Sequence, residues 1–196
     1  MLKVAIIGAT GSLGRATTKE LLKNETIQLT LFSRTVNHLP EYKNTIKIAG
    51  DVAEKEKLKA TLIDQDLVFV ALSGNLPDLI TKIIEAMNEV KSKRIIFISS
   101  YGIYGELPGQ NGRVENILKP YRQAADILEK SNLAYTILRP GWFDHSSDSS
   151  YELIEKGQIV YGNHISRQAI AQFVRYAAEH LADFVYGNYA IVRLEK

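Results

Sequence analysis

The sequence predicts a single-domain α/β fold, a doubly wound parallel sheet, on three observations. Short apolar runs of strand length recur along the chain with helical-period segments between them, which is the alternation of βαβ units. Several runs are apolar at consecutive positions, as in Leu67-Val68-Phe69-Val70 and Ile95-Ile96-Phe97-Ile98, the mark of strands covered on both faces. The chain has 196 residues, 45% of them apolar and 23% charged, a size that favours one large core with little room for a second.

Strands are expected at residues 3–7, 27–33, 46–49, 67–71, 94–98 and 134–138. Residues 12–23 read as the first helix, entered through Gly11, and residues 54–63 as a shorter one. Leu79, Ile80, Ile83, Ile84 and Met87 follow i, i+3, i+4, i+7 spacing, so the next helix lays one apolar stripe on the sheet. Pro120 is placed as the first residue of a helix running toward Ser131, a position where proline loses no intrahelical hydrogen bond. Ser166 reads as the N-cap of the last helix, whose stripe is Ile170, Phe173, Val174, Ala177, Ala178 and Leu181. A short strand from about Tyr189 to Leu194 is expected to close one edge. Residues 99–115 and 141–163 take no assignment, and both follow the carboxyl end of a strand, where open α/β sheets hold their ligands.

Composition removes several functions. The chain has no cysteine and 4 histidines, so thiolate zinc sites, cysteine nucleophiles and disulfides are excluded and no metal is expected. A net charge of +2 suggests neither nucleic acid nor an anionic membrane as partner. Met1-Leu2-Lys3 runs straight into a short apolar stretch that ends at Gly8, unlike a secretion signal, and no apolar run approaches the ~18 residues of a membrane span. A cytoplasmic location is the default expectation.

Gly8-Ala9-Thr10-Gly11-Ser12-Leu13-Gly14 lies directly after the first strand and opens the first helix. Gly8 permits the tight turn, Gly11 lets the backbone approach a pyrophosphate, and Gly14 allows close packing of helix on strand. The helix start offers free N–H groups to the anion. A glycine-rich turn without a ligand is the bland alternative, but the strand before and the βαβ continuation after it favour a dinucleotide. The expected architecture is therefore Rossmann-type over residues 1–196, with strand order 3-2-1-4-5-6 and a short edge strand.

An NAD-binding chain of this type places an acid about 20 residues beyond the glycines, on the ribose 2′-hydroxyl. Here the same stretch is Phe32-Ser33-Arg34-Thr35. Arg34 suits a 2′-phosphate and Ser33 adds a hydroxyl, so NADP(H) is expected over NAD(H). Arg15 is either a second charge for that phosphate or a solvated arginine in a first helical turn.

The glycine spacing GxxGxxG, with Gly50-Asp51-Val52, Ser99-Ser100 and Tyr135-Thr136-Ile137-Leu138-Arg139-Pro140-Gly141, resembles the short-chain dehydrogenase/reductases. Among them the chain is most similar to small atypical, NmrA-like NAD(P)H-binding proteins, over essentially its whole length. The resemblance implies that Asp51 and Val52 frame the adenine and that Ala71, Leu72 and Ser73 lie beside the adenosine ribose. It also implies that the backbone of Pro140 and Gly141 holds the nicotinamide amide. Asp51 read alone is equally a cap for the next helix, and Pro140-Gly141 a strand-ending turn.

The family's usual acid–base set is a serine after the fifth strand and YxxxK on the next helix. Ser99 supplies the serine and Tyr121 a tyrosine, but Ala125 occupies the lysine position. Residues i and i+4 share a helix face, so no ammonium assists the phenol, and Tyr121 is either the acid or a packed aromatic. Tyr101 and Tyr104 read as pocket wall, and His145, after Asp144, as either a proton donor or an exposed loop residue.

Too little chain follows Pro140 for the substrate domain of sugar-nucleotide enzymes. A small quinone-, flavin- or carbonyl-like acceptor fits better, reduced by a monomer or homodimer. The competing expectations are an NADP(H) sensor without catalysis, which the missing lysine favours, and a scaffold with vestigial nucleotide binding.

Overall fold

The computed structural model describes residues 1–193, and each expected apolar run forms its strand. The first five are β1 (Leu2–Ile7), β2 (Ile27–Ser33), β3 (Thr45–Ala49), β4 (Leu67–Val70) and β5 (Arg94–Ile98). They pair in parallel as β3-β2-β1-β4-β5, with Val4 opposite both Leu29 and Leu67. β6 (Ala134–Pro140) lies beside β5, so the expected order 3-2-1-4-5-6 is the order found.

The sheet is covered on both faces because its strands are apolar on both. Helices α1 (Ser12–Leu21) and α5 (Arg167–Glu179) pack over Val4, Ile6, Leu29, Leu31, Phe69 and Ile96. On the other face α2 (Lys55–Leu62), α3 (Leu76–Glu89) and α4 (Lys119–Glu129) cover Ala5, Ile7, Val68, Val70, Ile95 and Phe97. The two sets alternate along each strand, as the pleat requires. Ile80, Ile83 and Met87 of α3, and Ile170, Phe173, Val174, Ala177 and Ala178 of α5, are buried as the stripes predict. Ser166 Oγ accepts the Ala169 N–H at 2.9 Å, the expected cap. No helix among the described residues is long and apolar enough to cross a membrane.

The ends of several elements differ from the sequence reading. Helix α1 stops at Leu21, α4 starts at Lys119 with proline in its first turn, and Ala71 lies outside β4. The larger correction concerns the last third of the chain. Residues 141–163 are not wholly irregular, because β7 (Trp142–Asp144) and β8 (Glu152–Glu155) form within them, and β9 (His164–Ser166) follows. β10 (Gly187–Val192) does not close the edge: it runs parallel beside β6, and β8 adds antiparallel outside it. Leu194, where that terminal strand was expected to end, lies outside the described residues. β8 escapes sequence reading because both its ends are glutamate and neither face carries an apolar run, the composition that protects a sheet edge. β7 and β9 pair in parallel as a separate two-stranded ribbon above the carboxyl ends of the sheet strands.

Candidate functional site

Seventeen of the residues singled out above line one groove along the carboxyl ends of the strands, whereas Arg15 and His145, also weighed as candidates, line a neighbouring pocket. One lobe, about 600 Å³, takes in Gly8, Thr10, Gly11, Ser33, Arg34, Asp51 and Val52. The other, about 430 Å³, takes in Ser12, Leu13, Gly14, Ser99, Tyr121, Pro140 and Gly141. Ala71, Leu72 and Ser73 line both lobes and join them.

At the centre the chain leaves β1 at Gly8, whose φ of +94° no other residue adopts without strain. A Cβ there would lie 2.2 Å from the Ala71 carbonyl oxygen, and one on Gly14 would lie 2.2 Å from the Gly8 carbonyl oxygen. The α1 entrance is thus pulled onto the strand end by two glycines. Gly11 stands at the N-cap with no side-chain cap, and the first turn has no acidic residue. The N–H groups of that turn are therefore free for an anion, and a diphosphate suits them in charge.

In the first lobe three hydroxyls line up beside Arg34: Thr10 Oγ1 donates to Ser33 Oγ at 3.0 Å, and Thr35 Oγ1 donates to Thr10 Oγ1 at 3.2 Å. The Arg34 side chain is 81% exposed and stands 3.9 Å from the Asp51 carboxylate. An exposed pair at that separation contributes little, so the guanidinium can turn to a phosphate. Asp51 also holds its own turn, with Oδ1 accepting the Ala53 N–H at 2.9 Å. This turn lies ahead of α2, which is entered at Glu54 without a side-chain cap, so Asp51 lines the cleft but does not cap the helix. Arg15 lies elsewhere: its Nε donates to the Thr10 carbonyl at 2.9 Å, and its side chain borders a neighbouring pocket beyond Ser12.

In the second lobe Ser99 is buried and its Oγ donates to the Tyr121 carbonyl at 3.3 Å. Tyr121 borders the lobe, and Ala125 is buried in the core one turn on, where a lysine would stand. Trp142, 67% exposed, and Phe143 line the lobe beside Pro140 and Gly141, where the sequence places Trp142 although it assigns the stretch no secondary structure.

The strand that brings Pro140 to this lobe carries a buried ion pair. Arg139 and Glu106 are paired with both side chains out of solvent, and Arg139 Nε also donates to Asn188 Oδ1 at 2.8 Å. Burial pushes the Arg139 guanidinium down to about 10, which leaves it charged at neutral pH. Glu106 also accepts the Val160 N–H through its backbone at 3.0 Å. It therefore ties the 99–115 segment and the 152–160 segment to the strand that ends in Pro140. Of the former only Ser99 and Ser100 line the lobe; Tyr101 and Tyr104, expected as pocket wall, line neither lobe, and the Tyr104 ring packs among Arg122, Arg139 and Lys156 instead.

Beyond β7 the serine-rich strap is held by acids. Asp144 accepts from Ser146 N and Oγ at 2.9 and 2.8 Å and from Arg193 Nη2 at 2.7 Å, and Asp148 lies 3.6 Å from Arg193 Nε. Desolvation pushes the Asp144 carboxyl up, but the Ser146 and Arg193 donors outweigh it and hold the group below the usual carboxylate range. A depressed carboxylate contributes its stability in full above the unfolded value, about 3.9, and loses it as pH falls through the lower folded one. The Ser146 amide resonance is accordingly expected to follow the Asp144 titration with a midpoint below the ordinary aspartate value. A midpoint at or above the ordinary aspartate value would show that Asp144 does not clamp the strap.

A family model described as NAD(P)H-binding matches residues 8–181. The structure is similar to that of a Rossmann-fold NAD(P)-binding family protein from Shigella flexneri, at 32% identity, covering 100% of this chain and 98% of that one with a TM-score of 0.88. A short-chain dehydrogenase/reductase (wide type) from Veillonella parvula, solved in complex with NADP, is 25% identical, with 98% of this chain and 94% of that one covered and a TM-score of 0.88. Among curated proteins, UPF0659 protein YMR090W of Saccharomyces cerevisiae is 25% identical over 88% of this chain and 85% of its own length.

Proposed function

The chain belongs to the NAD(P)H-binding family, and on that premise we propose that it is an NADPH-dependent oxidoreductase of the atypical short-chain type, acting on a small flat quinone-, flavin- or carbonyl-like acceptor. The observation that carries this reading is the single groove with a cationic, hydroxyl-lined end at Arg34 and an aromatic, serine-bearing end at Ser99, Tyr121 and Trp142. Its length and polarity suit a dinucleotide lying across the α1 entrance, and the Veillonella relative was solved with NADP. A bound nicotinamide supplies hydride chemistry. This chain's residues hold the diphosphate at the α1 start, orient the ring against Pro140 and Gly141, and leave the Trp142 side open to the acceptor.

Arg34→Asp is expected to weaken NADPH by more than ~10-fold, about 1.4 kcal/mol, while sparing or improving NADH. The measurement is a titration of both nucleotides, followed by quenching of Trp142, the only tryptophan, and by thermal unfolding. Free ligand at about 100 times Kd stabilises the fold by ~2.7 kcal/mol. Equal loss for both nucleotides, or none for either, would remove Arg34 from phosphate recognition.

A second reading, an NADP(H) sensor without turnover, draws on Ala125 standing where the family's lysine would be and on the Ser99 hydroxyl being bound to a backbone carbonyl. A sensor must bind NADPH and NADP⁺ with different affinities, because a ligand shifts an equilibrium only through such a difference. Oxidation of NADPH with any member of an acceptor panel decides for the enzyme.

A further inference from the structure

We propose that the pocket beyond Ser12, outside the dinucleotide groove, seats an anionic arm of the acceptor, a carboxylate, and so selects acidic substrates; the proposal rests on the oxidoreductase reading. This pocket, about 300 Å³, is lined by Arg15, Lys19, His145 and Arg167 together with Ser12 and Asp144. Arg15 and Lys19 stand four apart on one face of α1, and Arg167 opens the neighbouring α5. The packing of α1 against α5 therefore gathers three cations from two helices around one cavity.

None of the three forms an ion pair among the described residues. Arg15 Nε and Arg167 Nη1 donate to the carbonyls of Thr10 and Asp144 at 2.9 Å each, and Arg167 Nε donates to Ser12 Oγ at 3.0 Å. These are neutral acceptors. The one carboxylate in the lining, Asp144, is held by Arg193 at 2.7 Å. Arg15 and Arg167 also lie in the first turns of their helices, where the macrodipole disfavours a cation. An anion seated among them would relieve both the mutual repulsion and the dipole term.

The position connects this pocket to the reaction end of the groove. Ser12 lines both, and the wall continues along one strand and its exit, with Trp142 and Phe143 on the groove and Asp144 and His145 on the pocket. Two residues of extended chain cover about 7 Å, within the reach of a flat ring system carrying a short acidic substituent. The Arg167 guanidinium, 5.1 Å from the Phe143 ring centre, marks the boundary where the ring would end and the carboxylate begin.

The test compares anthraquinone-2-carboxylate with its neutral 2-carboxamide, titrated against NADP⁺-saturated protein by quenching of Trp142, so that no turnover is needed. The carboxylate is expected to bind at least tenfold tighter. That preference should fall below threefold in Lys19→Gln and in Arg167→Gln and shrink at high salt, with NADP⁺ affinity changed less than twofold. Lys19 is exposed, so its variant stands even if Arg167→Gln fails to fold. Equal binding of the two quinones by the unmodified protein overturns the proposal. Loss of NADP⁺ affinity in step with the carboxylate also overturns it, by assigning these cations to the dinucleotide. If NADP⁺ itself does not bind, the oxidoreductase reading falls, and the same comparison on the protein alone still decides whether the pocket selects a carboxylate.

Discussion

Glu106→Ala is expected to destabilise the protein by about 3–5 kcal/mol, the effect of leaving a buried charge without its partner. Arg139 is wholly out of solvent, and its other contacts are to neutral oxygens, Asn188 Oδ1 and the Ile154 carbonyl. At this chain length each kcal/mol moves the unfolding midpoint by about 2–4 °C, so thermal unfolding should fall by roughly 10 °C. Glu106→Gln keeps the hydrogen bond without the charge and should lie between. A double replacement, Glu106→Leu with Arg139→Met, should recover much of the loss, because a matched apolar pair leaves nothing unsatisfied. A Glu106→Ala protein that unfolds within 2–3 °C of the original would show that the pair is solvated in solution. The same variant should loosen the 99–115 segment, which brings Ser99 and Ser100 to the second lobe, so acceptor binding is expected to weaken before nucleotide binding does.

Gly14→Ala acts at the other end of the architecture. The added Cβ would meet the Gly8 carbonyl oxygen at 2.2 Å and Ala9 Cα at 3.0 Å, both backbone atoms that a rotamer change cannot move. The first turn of α1 must back away from β1, at a cost of about 1–3 kcal/mol in stability. Its N–H groups then miss the diphosphate. Two weakened hydrogen bonds to a charged group, about 1.5 kcal/mol each, give a loss of dinucleotide affinity on the order of 100-fold. Gly109→Ala is the control: it is strained by a φ of +84° but meets nothing within 4 Å, so it should leave nucleotide affinity alone. Nucleotide binding by Gly14→Ala within threefold of the original would mean that the α1 entrance does not hold the phosphates.

Most of the groove was legible because its determinants are local. Gly8, Gly11 and Gly14 announce a strand–turn–helix through spacing alone, and Ser33-Arg34 falls at the end of the next strand by counting. Ser99, Pro140 and Gly141 follow apolar runs whose length and branching already mark buried parallel strands. What escaped were features made by residues distant in the chain. The register of β10 against β6 and β8 depends on pairings such as Tyr189 with Leu138 and with Glu155, which no local pattern encodes. Glu106 lies in a glycine-rich loop and reads as a surface charge until Arg139 is seen beneath it. From sequence Arg15 reads either as a second charge for the ribose phosphate or as a solvated first-turn arginine, because the position of Arg167 beside it is set by the packing of two helices at opposite ends of the chain.

By itself, then, the sequence determined the layered α/β class, the order of its first six strands, the α1 entrance and the absence of cysteine chemistry. Each follows from periodicity, residue type or short spacing, which act within a few residues of chain. Only the tertiary structure decided how the last third of the chain adds two strands to the sheet and a ribbon above it, which buried charge meets which, and where unpaired cations collect. Those outcomes are contacts between segments that share no local signal, selected by the burial and charge balance of the whole fold.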